Sequence, residues 1–223
     1  MDNVRVYLFA ALVPPREAVD ELWQVVQEVT TSLTADDPAP GRRSWRAHKP
    51  SRRERRALEA AGPAGPPLVL EPPAHVYVPI TKFGNLVVND AERLAASLTT
   101  EAADWAAPRL RFSGHAAREQ DEDPSVWVEL KGDMDDLGTV ARGVPRVAQG
   151  LRLYVDRRAF QPQVRVGRVT EDATPPYVQA LLDTLDHFDG VSWRQSELLL
   201  LTHVDRGPDL PSFRTFATVP LGT

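Results

Sequence analysis

Residues 157–169, "RRAFQPQVRVGRV", read as the strand on which the architecture turns. Phe160, Val164, Val166 and Val169 give the stretch the aromatic and β-branched content of a strand. Residues two apart on a strand share a face, so Gln163 and Arg165 project together, with Arg157 and Arg158 just upstream. A strand that presents an amide beside a guanidinium reads as one that enters a binding groove.

Working outward, the helical pattern "PPYVQALLDTLDHF" follows this strand, and "SELLLLTHV" and "FRTFATVPL" read as two further strands. At the other end, "VRVYLFAAL" is a strand that feeds the helix "REAVDELWQVVQEVTTSL", whose Val19, Leu22, Trp23, Val26 and Val29 recur at helical spacing. Next come the strand "HVYVPITKFGNL" and the helix "NDAERLAASLTTEAADW", for which Asn89 or Asp90 is the expected cap. "APRLRFSGHAAR" and "PSVWVELKG" read as strands joined by the acidic "EQDED", an exposed turn. "DMDDLGTVARGVPRVAQG" then reads as a helix weakened by Gly143 and Pro145. Two halves, each with strands and packed helices, predict an α+β protein with a mainly antiparallel sheet in each lobe.

Composition narrows the function. A chain of 223 residues with 42% hydrophobic content can bury a sizeable core, and it contains no cysteine. That excludes a disulfide framework, a thiolate metal site and a cysteine nucleophile, and it fits a reducing cytoplasm. No apolar run approaches the roughly 20 residues of a membrane span, so no membrane partner is expected. The net charge of −5 argues against a broadly basic nucleic-acid coat. Locally, "RRSWRAHKPSRRERR" mixes arginines with Trp45, which suits phosphate and base contacts but equally a solvated loop. Residues 34–74, rich in Pro, Gly and Arg, read as an insertion holding at most one short helix, "SRRERRALEAA". Trp23, Trp105, Trp127 and Trp193 sit in apolar or strand contexts and are expected in the core. Phosphate-binding and dinucleotide-binding glycine loops, zinc-spaced ligand pairs and the nucleophile elbow are all absent.

The order "RVYLFAALVPP", "VPITKFGNL", "VWVELKGD", "RRAFQPQVRV", "FDGVSWRQSELLLL" and "FRTFATVPLG" resembles the 2H phosphoesterase superfamily. The nearest branch is the bacterial 2′-5′ RNA ligase-like proteins, also described as RNA 2′,3′-cyclic phosphodiesterases. The resemblance spans residues 1–223 apart from the 34–74 insertion. It implies one bilobed domain with pseudo-twofold lobes around a central groove, and a His-x-Thr/Ser motif on a central strand of each lobe. Facing imidazoles then exchange protons with the attacking and leaving oxygens, while hydroxyls and cations stabilise the phosphoryl group. That chemistry needs neither metal nor cofactor.

Both motifs are degenerate here. Aligned on Phe83 and Gly84, the first falls on Tyr77 and Pro79; a one-residue gap shifts it to Pro79 and Thr81. The second falls on Gln163 and Arg165. The five histidines are His48, His75, His115, His187 and His203, and none is followed two positions later by Thr or Ser. No residue is assigned as catalytic. His75, two before Tyr77, is the one candidate for rescue.

Three readings follow from these residues. The first is a pseudoenzyme that binds a phosphorylated ligand, an RNA end or a nucleotide, through Arg165, Gln163, Tyr77, Arg157 and Arg158. The second is an active phosphodiesterase with relocated groups such as His75 and Tyr77. In the third, an interaction module keeps a vestigial groove and Arg165 merely pairs with a carboxylate.

Overall fold

The computed structural model describes residues 4–36, 65–116, 124–204 and 213–222. The basic segment and short helix expected within residues 42–61, and the acidic turn at 119–123, lie outside the described residues. So does most of the 34–74 insertion.

The chain runs β1 (Arg5–Leu12), α1 (Arg16–Asp36), β2 (Leu68–Leu70), a 3-10 turn (Pro73–His75), β3 (Val78–Val87) and α2 (Val88–Ala102). It continues through β4 (Arg109–Ala116), β5 (Ser125–Gly132), α3 (Met134–Gly150), β6 (Gln163–Val169), α4 (Pro175–His187), β7 (Trp193–Arg194), β8 (Glu197–His203) and β9 (Phe213–Pro220). Strands form two sheets, ordered β3-β1-β8-β9 and β2-β6-β5-β4-β7. Every strand pairing within them is antiparallel. Helices α2 and α3 pack on the first sheet, α1 and α4 on the second. This is the expected α+β architecture of two lobes.

The lobes do not coincide with the two halves of the sequence. β8 and β9, near the C-terminus, return to pair beside β1, while α1 crosses from β1 to the second sheet. Such exchange binds the lobes together, and one continuous apolar core runs through both. β1 and β8 are the two central strands of the first sheet, and their burial follows from that position: Leu8 to Leu12 is buried without a break. One face meets the helices; the other carries a smaller cluster of Phe9, Ala11 and Leu201.

Local chemistry departs from expectation at three places. Helix α2 starts at Val88 after an extended Val87 that offers no side-chain cap, so Asn89 and Asp90 lie inside its first turn. Asp90 instead pairs with Arg93 at 3.1 Å. Helix α3 is continuous through Gly143 and Pro145. There the glycine is required by packing, since a Cβ at 143 would sit 2.4 Å from the Trp105 ring. Finally, Leu68–Leu70 inside the expected insertion form β2 and extend the second sheet beside β6.

Candidate functional site

Position 79 explains how β3 reaches the groove. A proline cannot donate to a sheet ladder and is tolerated at edges and bulges. β3 is the edge strand of its sheet rather than a central one, and its register against β1 slips twice. Pairing runs Ala11 to Pro79 and Ala10 to Thr81, leaving Ile80 as an extra residue; Phe83 is extra between Lys82 and Gly84. Gly84 accommodates the second slip with φ of 70°, a conformation that favours glycine. The exposed edge is covered by the chain between α3 and β6. Asp156 donates its N–H to the Lys82 carbonyl at 2.9 Å, and the Thr81 hydroxyl reaches the Asp156 carbonyl at 3.4 Å.

Between the sheets lies a groove of two adjoining hollows, and a third opens beside it between β3, α3 and the segment 156–160. The central one, about 180 Å³, is lined by Tyr77, Pro79, Thr81 and Lys82 on one side and by Trp127, Gln161 and Gln163 on the other. An adjoining hollow of about 290 Å³ shares Tyr77, Pro79 and Trp127 and adds Glu71, His75 and Arg165. The third, about 430 Å³, shares Thr81, Asp156, Arg158 and Phe160 with the centre and adds Arg142. Tyr77, Pro79, Gln163 and Arg165, the degenerate motif positions, are thus gathered along one groove.

Each has a defined setting. Tyr77 packs tilted on Phe9 and edge-on to Phe213, both at 5.4 Å between ring centroids. Burial pushes its phenol above the ordinary value, and the neighbouring Tyr7 and Glu71 push it further up. A phenol shifted in that direction stays protonated near neutrality and is a weaker proton donor. Gln163 donates its amide to Gln161 Oε1 at 2.9 Å. Arg165 Nε meets Glu71 Oε1 at 3.2 Å, at ion-pair distance without the alignment of a hydrogen bond. Glu71 is itself fixed: its N–H donates to the Val166 carbonyl at 2.8 Å, and its carbonyl accepts from Trp23 Nε1 at 3.0 Å. Arg165 therefore does pair with a carboxylate. A guanidinium carries five donors, so a pair through Nε does not by itself exhaust it.

The remaining candidates divide. Arg158 lines the groove and pairs with Asp156 at 3.1 Å. Arg157 is exposed and lines none of the three hollows. His75 lies on the 3-10 turn ahead of β3, not on an unbroken strand with Tyr77, yet it lines the Arg165 hollow. The other described histidines stand elsewhere: His115 pairs with Asp186, His187 contacts the Asp183 carbonyl, and His203 stacks near Tyr7 and Phe9. Among the described residues no group of three or more His, Asp or Glu is placed to hold a metal ion.

Sequence reasoning placed Trp127 in the core, and the structure corrects this. Trp23, Trp105 and Trp193 are buried, whereas Trp127 is half-buried and lines two of the hollows. The signal was present, because Trp127 shares its parity on β5 with Ser125, Glu129 and Lys131, the face away from the helices. Glu71 and Phe160 were also missed as site residues; they lie on connecting segments where no periodicity marks a side.

No family model matches the chain, and neither does any curated protein sequence. Solved structures do. The chain is similar over 99% of its length, and 100% of the other chain, to a protein described as a phosphoesterase, with a TM-score of 0.54 and 11% identity. It is likewise similar to E. coli LigT complexed with 3′-AMP, covering 99% and 100% with a TM-score of 0.54 and 14% identity. TT0787 of Thermus thermophilus aligns over 96% and 97%, with a TM-score of 0.53 and 16% identity. Likeness at such identities concerns the fold: the chain has the bilobed 2H phosphoesterase fold that its motifs resemble. No helix among the described residues is long and apolar enough to cross a membrane.

Proposed function

We propose that this protein binds a phosphorylated ligand, a nucleotide or an RNA end, in the groove between its lobes without two-histidine catalysis, and that it does so in the cytoplasm. The observation that carries this reading is the company Arg165 keeps. Arg165, Gln163 and Tyr77 line one continuous groove, and among the described histidines only His75 lines it. A positioned acid or base contributes on the order of 10² to 10⁴ in rate, and glutamine cannot exchange a proton near neutrality. A guanidinium, by contrast, offers fixed donors to phosphate oxygens. Support also comes from E. coli LigT, a protein of the same fold, whose structures hold 3′-AMP, NADP+ and ATP.

Calorimetric titration with AMP tests the reading. Saturable binding that weakens with salt, and that Arg165→Ala reduces roughly tenfold, is expected. Binding unaffected by Arg165→Ala would remove the groove from the account.

A second reading is favoured by one observation, the presence of His75 beside Tyr77 in the same hollow. If these groups carry a relocated phosphodiesterase, 2′,3′-cyclic nucleotides are hydrolysed, and turnover disappears in His75→Ala or Tyr77→Phe. The raised phenol of Tyr77 counts against it.

A further inference from the structure

We infer that the hollow between α3, β3 and the segment 156–160 is a second ligand site, separate from the groove, and that it takes a small aromatic carboxylic acid with a hydroxyl at its far end. The site goes beyond the nucleotide reading given above and does not rest on it.

Its main wall is one face of α3, along which Gly138, Ala141, Arg142 and Pro145 recur at helical spacing. Two polar groups on that face are left over by the helix itself. The first is the Arg142 guanidinium. Arg142 is exposed, and among the described residues it makes no ion pair. It reaches back over Gly138, where a Cβ would lie 2.9 Å from Arg142 Nη1. Glycine is a poor residue for a helix interior, yet here its bare backbone leaves room for the guanidinium to lie along the helix. The second is the Ala141 carbonyl. In a regular helix it would accept from the N–H of residue 145, and the proline at that position has none. The freed acceptor lies on the face that Ala141 and Pro145 turn to the hollow.

Charge and shape then select the ligand. Asp156 is already matched by Arg158 at 3.1 Å, which leaves Arg142 as the net charge of the hollow. One unmatched guanidinium suits one carboxylate, gripped by two parallel N–H donors, better than the dianion of a phosphate monoester. Ile80 and Phe160 face α3 with apolar surface, and the volume of about 430 Å³ is that of a small-molecule site. Along α3 the freed carbonyl stands beyond the guanidinium by more than one helical turn, about 5.4 Å. A ring laid between them against Phe160, with a carboxylate at one end and a hydroxyl at the other, meets both groups.

Amide-shift NMR titration of the full chain with 4-hydroxyphenylacetate at neutral pH, where its carboxyl is ionised and its phenol is not, tests this. Saturable shifts at Ile80, Thr81, Ala141 and Phe160 are expected, with a Kd of about 1 mM or tighter. The uncharged 4-hydroxyphenylacetamide should bind at least about tenfold more weakly, and phenylacetate, which lacks the hydroxyl, several-fold more weakly. Arg142→Ala should weaken binding of the acid at least about tenfold. Gly138→Ala should also weaken it while raising the thermal midpoint, because alanine favours the helix but displaces the guanidinium; a folding defect would lower both. Saturating AMP should leave the titration unchanged. Absence of shifts in the wild type, or unchanged binding in Arg142→Ala, overturns the inference. Equal binding of phenylacetate or of the amide overturns the ligand class, and one-for-one displacement by AMP overturns the separation from the groove.

Discussion

The two sides of the groove are backed by different chemistry. On the first sheet Tyr7, Phe9, Tyr77, His203 and Phe213 form a connected band of rings with centroids 5.1 to 5.4 Å apart, of which Tyr77 lines the groove. On the second, Gln163 stands opposite Glu129 and Arg165 opposite Trp127, with Glu71 fixed beside them. The first wall is held by burial of apolar area, the second by polar contacts over a separate valine-rich core face. A scaffold can thus keep its groove while the side chains that face into it change role, since the shape is set by the residues behind the walls. Substitutions in the first wall should read out mainly as stability; those in the second, mainly as ligand affinity.

The largest expected effect is on the first wall. Phe9 is 2% exposed beneath Tyr77 and His203, and Phe9→Ala should cost about 3 to 5 kcal/mol in denaturant unfolding. A small cost would show that the ring band is surface decoration. On the second wall, Arg165→Ala should change unfolding stability by no more than about 1 kcal/mol, because the pair with Glu71 is one-third exposed. Its nucleotide affinity should nonetheless fall as stated above. A large stability loss with unchanged affinity would reverse the contrast between the walls.

Glu71→Gln sharpens the comparison by a smaller step. Removing the carboxylate that occupies Arg165 should raise AMP affinity several-fold, on the order of 1 kcal/mol. The same change should lower the Tyr77 phenol toward its ordinary value, though only in part, since burial is the larger cause of its elevation. Calorimetry reads the first change and absorbance titration at alkaline pH the second. Because the folded value is raised, Tyr77 leaves the fold unpenalised below pH ~10 and costs stability as pH climbs through the folded value. A Tyr77 that titrates below pH ~10 would contradict the burial assigned to it.

The smallest effect lies outside the groove. A hydrogen bond from His115 is the main cause holding the Asp186 carboxyl below its usual range. A lowered carboxylate contributes stability above its unfolded value, lost as pH falls through the folded one. Asp186→Asn should flatten the acid limb of the stability profile and leave AMP affinity unchanged. A changed affinity would extend the site to the far side of the second sheet.

Much of the fold was legible because its elements are strongly periodic. The strand "SELLLLTHV" and the helix "PPYVQALLDTLDHF" fall within a few residues of β8 and α4. What alternation does not encode is the partner of a strand, so the return of β8 and β9 to the first sheet was not read from the sequence. One cue existed: unbroken apolar runs in β1 and β8 mark strands buried on both faces, and two such strands belong side by side. β2 escaped notice because three residues between prolines carry no period. At the site, a shared groove for Tyr77, Gln163 and Arg165 was implied by the family resemblance and not by the spacing of the residues themselves. The Glu71 partner was not, because it reaches Arg165 from a loop 94 positions earlier.

Phosphorus NMR of 2′,3′-cyclic AMP mixed with the full chain tests the central claim most directly. The account predicts that the cyclic phosphate signal shifts or broadens as it binds, that Arg165→Ala diminishes this response, and that no monoester signal grows in over hours. A 2′- or 3′-monoester signal that appears with wild type and vanishes with His75→Ala would contradict it.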